Sequence, residues 1–266
     1  MKSSEFITAD LEQLPAVQPV DWGNLIPRFE YFLSSPLCHP IKISENGQLV
    51  AIGTSIMHAD TVWLACIVVH ADHRNKGLGK AITEDLIGSI DRTKYKTIYL
   101  DATEYGYPVY TKLGFEVETT YSHMRSAGGA PVTSFSKHIM PFEEHYLDQI
   151  FDVDAQVSGE DRSGVISDFI KSSLLYVVDS QVQGFYIPGW GDAPIIAISE
   201  AAGAALIKRR AMDETAAVLP TGNIFAINCL KEHHFHYYRI SRRMVLGEKR
   251  IWHPTGIYNR ISGQLG

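Results

Sequence analysis

The stretch that most constrains this chain is Ile67–Ala81, IVVHADHRNKGLGKA. It closes a nearly unbroken apolar run, Val62–Val69, whose length and branched residues suit a strand covered on both faces. A polar loop follows from His70 to Lys76. Gly77-Leu78-Gly79 then opens a segment in which Leu78, Ala81, Ile82, Leu86 and Ile90 recur at helical spacing. The order is strand, basic loop with two glycines, helix. Glycines at a helix start let the backbone approach a ligand closely, and the free N–H groups there face it with a favourable dipole. Arg74, Lys76 and Lys80 surround those groups with positive charge. The segment Arg74, Asn75, Lys76, Gly77, Leu78, Gly79, Lys80 therefore reads as a pyrophosphate cradle.

Spacing excludes two familiar cradles. A P-loop needs a glycine five residues before its Gly-Lys pair and a Ser or Thr after it, but Gly79-Lys80 has Arg74 upstream and Ala81 downstream. A dinucleotide fingerprint would place Ile82 where close helix–strand packing wants Gly or Ala. What remains is Arg74-x-x-Gly77-x-Gly79. A second pattern lies downstream. Lys96–Asp101 reads as a strand, and a short helix follows with Pro108 in its first turn and Gly114 just past its end. Its sequence is Tyr110-x-x-x-Gly114-Phe115. Glu116–Ser122 then alternates as another strand.

These two patterns, in this order, resemble the acyl-CoA loop and the following helix of the GNAT superfamily of N-acyltransferases, over roughly Asp10–Arg125. The resemblance implies an α/β fold (α+β, with a mixed sheet) splayed open at the strand bearing Val68 and Val69. It implies acetyl-CoA as co-substrate, with its pantetheine arm along the free edge of that strand and its pyrophosphate on the Arg74–Lys80 loop. A primary amine then attacks the acyl carbonyl directly, a backbone N–H polarises that carbonyl, and Tyr110 protonates the departing thiolate. A phenol of pKa about 10 can donate to a thiolate of pKa about 8–9 when the two are aligned. Many family members have Asn where Ala102-Thr103 stands here; the Thr103 hydroxyl is the available substitute for its contact with the pantetheine arm. The general base stays open among Asp101, Glu104, Glu84, Asp85, His58, His70 and a bound water. A rival class is an acyl-CoA sensor or interaction module that keeps the cleft without turnover.

The 266 residues suffice for two compact domains. A net charge of -6 argues against nucleic-acid binding. Cys38, Cys66 and Cys229 are odd in number, far apart and without metal spacing, which fits reduced thiols. The first residues lack a signal-peptide core and no segment is apolar over a membrane-spanning length, so the expectation is a cytoplasmic protein that does not bind membranes.

Near the start, Leu25–Leu33 reads as a helix whose aromatics, with Trp22, either line an acceptor pocket or pack onto the sheet. Asn46-Gly47 between apolar runs signals a hairpin. The Gly/Ala/Ser/Pro-rich segment Arg125–Ser136 reads as a linker, dividing a catalytic domain, 1–136, from a second unit, 137–266. The second unit reads as helices at Phe142–Val153 and Ser163–Ser172, then strands at Leu174–Val178, Gln183–Ile187 and Pro194–Ile198, and a helix at Glu200–Met212. A strand at Ile224–Ile227, a helix at Cys229–His234 and a strand at Tyr237–Leu246 complete it. This order repeats that of the first half, so the unit is expected to be a degenerate GNAT-like domain. Only Ser199–Gly203 stands where the glycine loop should be, Glu200 would repel a pyrophosphate, and His234-Phe235 replaces Gly114-Phe115. One cofactor per chain is expected.

No metal is expected. His234 and His236 share a face on an extended chain while His233 points away. Arg239, Arg242 and Arg243 read as a solvated face, with anion binding as the alternative. The expected partner is a small-molecule or peptide amine; its identity and the oligomeric state are open.

Overall fold

The structure, a computed structural model, describes residues 2–128 and 135–266. The middle of the predicted linker, residues 129–134, lies outside the described residues. The first half contains β1 (Ser4–Glu5), α1 (Leu14–Val17), α2 (Ile26–Ser34), β2 (Cys38–Glu45), β3 (Gln48–Met57) and β4 (Thr61–Val69). It continues with α3 (Leu78–Ser89), β5 (Thr97–Ala102), α4 (Tyr107–Lys112) and β6 (Glu116–Arg125). Asn46 and Gly47 adopt left-handed φ values of 52° and 80°, as a type I′ turn requires, and close the β2–β3 hairpin at the predicted place. α2 buries Phe29 and Phe32, and Phe6 meets Phe29 at 4.8 Å between ring centroids. These rings belong to the core, where burying such a side chain contributes about 1.5–3 kcal/mol.

The second half contains β7 (Ile139–Pro141), α5 (Leu147–Ser158), α6 (Ser163–Ser167), β8 (Leu174–Val178), β9 (Gln181–Tyr186) and β10 (Ile195–Ala197). α7 (Glu200–Arg210), β11 (Ala216–Pro220), α8 (Ile224–Glu232), β12 (His236–Gly247) and β13 (Ile257–Asn259) follow. Asp179 and Ser180 hold the β8–β9 turn at φ values of 48° and 61°. Three expectations need correction. Ile224–Ile227 opens a helix rather than forming a strand: the Asn223 side chain caps it by accepting from Ala226 N at 3.1 Å, and the buried residues, Ala226 and Leu230, are four apart. The preceding strand is β11 instead. The helix expected at Phe142–Val153 begins at Leu147 and runs to Ser158, and the one expected at Ser163–Ser172 breaks into α6 and a short 3₁₀ turn at Ile170–Ser172.

Two sheets result. One has the order β1-β2-β3-β4-β5-β12-β6-β11 and the other β13-β10-β9-β8-β7. The larger sheet interlocks the halves. β12, from the second half, is inserted between β5 and β6 of the first, and β6 is in turn bordered by β11 of the second. A reciprocal exchange of this kind cannot be seen in the linear order of elements.

A charged cluster sits at the junction. Arg243 on β12 is fully buried, with Nε 2.6 Å from Glu118 Oε2 on β6, and Nη2 donates to Glu160 Oε1 at 3.3 Å. Its guanidinium also lies over the rings of Trp63, Tyr99 and Trp252. The expectation of a solvated face fails for this residue, because β12 lies inside the sheet rather than at its edge. Glu160 accepts from Thr61 Oγ1 at 2.6 Å and Trp63 Nε1 at 2.9 Å. Burial alone would raise its pKa, but Arg243, His58 and Arg162 outweigh that and hold it low.

Candidate active site

β4 lies beside β3 from Val62 to Val69 but beside β5 only at its start. The parallel pairs run from Thr61↔Thr97 to Leu64↔Leu100. From Ala65 to Val69 no described strand borders β4 on that side. The opening begins earlier than Val68 and Val69 and includes both. Within it, Ile52 pairs with Val68 and Thr54 with Ala65, so β4 carries one extra residue there. Cys66 sits in this bulge at φ 48°, and a bulge bends the strand away from a regular ladder.

The basic loop stands at the end of the opening. His73 Nδ1 lies 3.0 Å from Glu45 Oε2, which ties the loop to the β2–β3 hairpin. Arg74 Nε donates to Val69 O at 3.4 Å. Asn75 and Gly77 are left-handed at φ values of 62° and 82°, and α3 starts at once. Ala81 N donates to Gly77 O at 3.0 Å, so the amides of Leu78, Gly79 and Lys80 precede the first helical bond and have no partner within the helix. The Leu78 side chain is buried, leaving its backbone for the loop, while Arg74, Asn75, Lys76 and Lys80 are exposed. A Cβ at Gly77 would meet nothing within 4 Å, and one at Gly79 only Val69 Cγ2 at 3.7 Å. Open space, free amides and three cations fit a pyrophosphate.

Tyr110 lies on α4, its ring against the Gly106 backbone: a Cβ on Gly106 would fall 2.6 Å from Cε2. Burial, and then the charge of Asp101, raise its pKa, so the phenol keeps its proton throughout the neutral range. Thr103 begins the turn into α4. Its carbonyl accepts from Gly106 N and Tyr107 N, and its Oγ1 accepts from Gly106 N at 3.3 Å. That hydroxyl is used as an acceptor by the turn but still has its proton to donate.

Most candidate bases are occupied elsewhere. Glu84 pairs with Lys80 at 3.5 Å, Asp85 accepts from Ser3 N, Glu104 pairs with Arg242 at 2.7 Å, and His70 accepts from Asp72 N. His58 is buried at the opposite end of β4, where its N–H donates to Thr61 O. Asp101 differs. Ile98, Leu100 and Ala102 of β5 pack with Tyr110 under α3 and α4, whereas Tyr99 packs with Trp63 on the other face. Strand alternation places Asp101 on the Tyr99 face. There Ser241 Oγ donates to Asp101 Oδ2 at 2.9 Å, and Arg260 Nη1 donates to the same oxygen. Ser241 also meets His123 Nε2 at 2.8 Å, and Arg260 Nε donates to Asp192 Oδ2 at 2.8 Å. Sequence reading named Asp101 but missed these partners, which come from the second half through the inserted β12 and the segment after β13.

The second half differs at the corresponding places. Only Ile198 and Ser199 separate β10 from α7, and the Ser199 hydroxyl caps that helix through Ala202 N at 3.3 Å. The gap between β10 and β11 is filled by the chain itself: β13 pairs with β10, Arg260 N donates to Val218 O at 2.9 Å, and Val218 N donates to Asn259 Oδ1 at 2.6 Å. Among the described residues, no group of three His, Cys, Asp or Glu could hold a metal ion. No described helix is long and apolar enough to cross a membrane.

Comparison with known proteins fits this geometry. No curated protein matches the sequence. A protein from Pyrococcus horikoshii, provisionally described as an acetyltransferase, superimposes with a TM-score of 0.84 at 18% identity, over 99% of this chain and 95% of that one. A GCN5-related N-acetyltransferase from Sphaerobacter thermophilus gives 0.60 at 13% identity, over 95% and 98%. Another from Anabaena variabilis gives 0.59 at 11%, over 92% and 72%. At these identities the likeness concerns the fold, and it extends across both halves. Residues 33–136, which hold the open strand, the glycine loop and Tyr110, match the model of the acetyltransferase (GNAT) domain. The family match thus places residues 33–136, and not the chain as a whole, with the acetyltransferase (GNAT) domains.

Proposed function

We propose that this protein transfers an acetyl group from acetyl-CoA to a primary amine, on a small molecule or a peptide, using one site in residues 1–136. The observation that carries this reading is the parting of β4 from β5 after Leu64 and Leu100, with the Arg74–Lys80 loop at the open end. Ala65–Val69 has the free edge to hold the pantetheine arm, Val68 and Val69 included, and Thr103 can donate to it. Arg74, Lys76, Lys80 and the amides of Leu78 and Gly79 hold the pyrophosphate, with Asn75 and Gly77 shaping the turn. Bound there, acetyl-CoA supplies the activated acyl group.

Tyr110 holds the proton that the departing thiolate needs. Its raised pKa keeps it protonated until that proton is required. We read residues 137–266 as a degenerate GNAT-like unit: its cleft is filled by β13, and it lacks the loop. Unpaired cysteines, two of them buried, suit a reducing, cytoplasmic setting. The test is release of CoA from acetyl-CoA by the purified protein with a panel of primary amines: a lysine-side-chain peptide, an α-amino peptide and a polyamine. Turnover with at least one is expected. Tight acetyl-CoA binding with no release for any amine would favour a sensor.

A further inference from the structure

The Asp101 carboxylate is unusual among the acids near the cleft. Its side chain is more than nine-tenths buried. One oxygen, Oδ2, takes both the Ser241 and the Arg260 hydrogen bonds, while Oδ1 is buried and accepts none. A buried acceptor without a donor is costly. This one stands at the last pair but one of β5, opposite Arg243 and one residue beyond the point where β4 leaves the ladder.

It also stands on the opposite face of the sheet from Tyr110. β5 turns Leu100 and Ala102 toward α4 and Tyr110, and Tyr99 and Asp101 toward the second half. An amine attacking an acyl carbon and the thiolate leaving it need proton-handling groups on two sides, and these two residues supply them. On its own face Asp101 meets Arg260 from the segment after β13, Ser241 from β12 and the phenol of Tyr121 on β6, while the phenol of Tyr110 on α4 feels its charge from across the sheet. Asp192 and His123 stand behind Arg260 and Ser241.

We propose that the second half completes the acceptor side of the site: Ser241 and Arg260 hold the Asp101 carboxylate in place, and its Oδ1 receives the ammonium group of the acceptor and takes its first proton. This rests on the acetyltransferase reading above. The protons balance. An ammonium must shed two to become an amide N–H; Asp101 takes the first and passes it to solvent. The second restores Tyr110 after its proton has gone to the thiolate, as the C–N bond forms and the C–S bond breaks. Asp101 is then in contact with substrate, and Ser241 and Arg260 are positioning residues. The second unit, without a cleft of its own, becomes part of the working site of the first.

The experiment compares Asp101→Asn with the unaltered protein, using acetyl-CoA and whichever panel amine is turned over fastest. Asn keeps the shape and the Ser241 hydrogen bond and removes the charge. Acetyl-CoA affinity by calorimetry should hardly change, because that ligand lies on the other face. kcat/KM for the amine should fall by about 100-fold or more at pH 7. The deficit should narrow at least about tenfold by pH 9.5, where far more of the amine is already unprotonated. A merely structural role would leave the pH profile unmoved. kcat/KM within about threefold of normal at pH 7, in a variant that unfolds cooperatively, would overturn the proposal. If Asp101→Asn fails to fold, Ser241→Ala carries the test. It should lose about fivefold or more in kcat/KM, Ser241→Thr should restore it, and no loss would overturn the proposal. If acetyl-CoA binds but no panel amine is acetylated, the acetyltransferase reading fails and this inference fails with it.

Discussion

Leu230 stands in the second half where Tyr110 stands in the first. Each ends a short helix whose closing carbonyl accepts from the phenylalanine five residues on: Phe115 N donates to Tyr110 O at 3.1 Å, and Phe235 N to Leu230 O at 3.0 Å. Between them Gly114 and His234 share a left-handed backbone, at φ 90° and 65°. The local folds correspond residue for residue, and only one of them has a hydroxyl. We therefore expect one acetyl-CoA per chain in a titration by calorimetry, with Leu230→Tyr creating no second site because β13 still fills that cleft. A stoichiometry of two would contradict the degenerate reading of the second unit.

The cradle predicts a separable loss of binding. Gly79→Glu places a side chain into open space beside Val69, at an ordinary helical position, and sets a negative charge against the pyrophosphate. Acetyl-CoA affinity should fall by about 100-fold or more, the equivalent of ~2.7 kcal/mol, with little change in melting temperature. Gly77 is a less clean position, since its φ of 82° means that any other residue adds backbone strain of about 1 kcal/mol.

The buried cluster at the junction predicts a large effect on stability. Arg243→Ala takes from the fully buried Glu160 its ion-pair partner and removes the cation stacked between Trp63, Tyr99 and Trp252. The expected loss is about 3–5 kcal/mol in urea unfolding. Arg243→Met, which fills the space but leaves the same charge, should recover only a part; pairing it with Glu160→Gln should recover more.

Two buried histidines set a pH dependence. Burial, aided by Arg162, lowers the pKa of His58 to about 4, and burial, with Arg260, Arg239 and Arg125, lowers that of His123 to about 3. Both are neutral in the folded chain, whereas an unfolded histidine titrates near 6.5. Between those values the unfolded chain binds more protons, so stability is full above about pH 6.5 and falls as the pH drops toward 4. Urea unfolding at pH 7 and pH 4.5 should show this decline, and His58→Gln should flatten its upper part. An unchanged slope in that variant would remove His58 as a cause.

Much of the first half was legible because it is local. The Asn46-Gly47 turn, the run Val62–Val69, the glycine loop and the helix before Gly114-Phe115 each carry their signal within about a dozen residues. The failures at the junction of the two halves share one cause. β12 is inserted between β5 and β6 by pairings more than a hundred residues apart, such as Arg243↔Asp101 and Arg242↔Thr120. No local pattern announces such an insertion. Local pattern therefore assigns Arg243 to a solvated face and leaves Ser241 and Arg260 unconnected with Asp101. Ile224–Ile227 suits a strand by pattern because four apolar or small residues look alike in either state; the Asn223 cap decides for a helix.

The most direct test of the account is the turnover number of Tyr110→Phe, measured together with its acetyl-CoA affinity and melting temperature. The change removes one hydroxyl and keeps the ring against Gly106. With Tyr110 as the proton donor, acetyl-CoA affinity stays near normal and kcat falls about 100-fold or more. The loss should shrink for an acyl donor whose leaving thiol is more acidic. A kcat close to normal, with stability lowered by only about 1 kcal/mol for a lost hydrogen bond, would contradict the account and leave Tyr110 a packing residue.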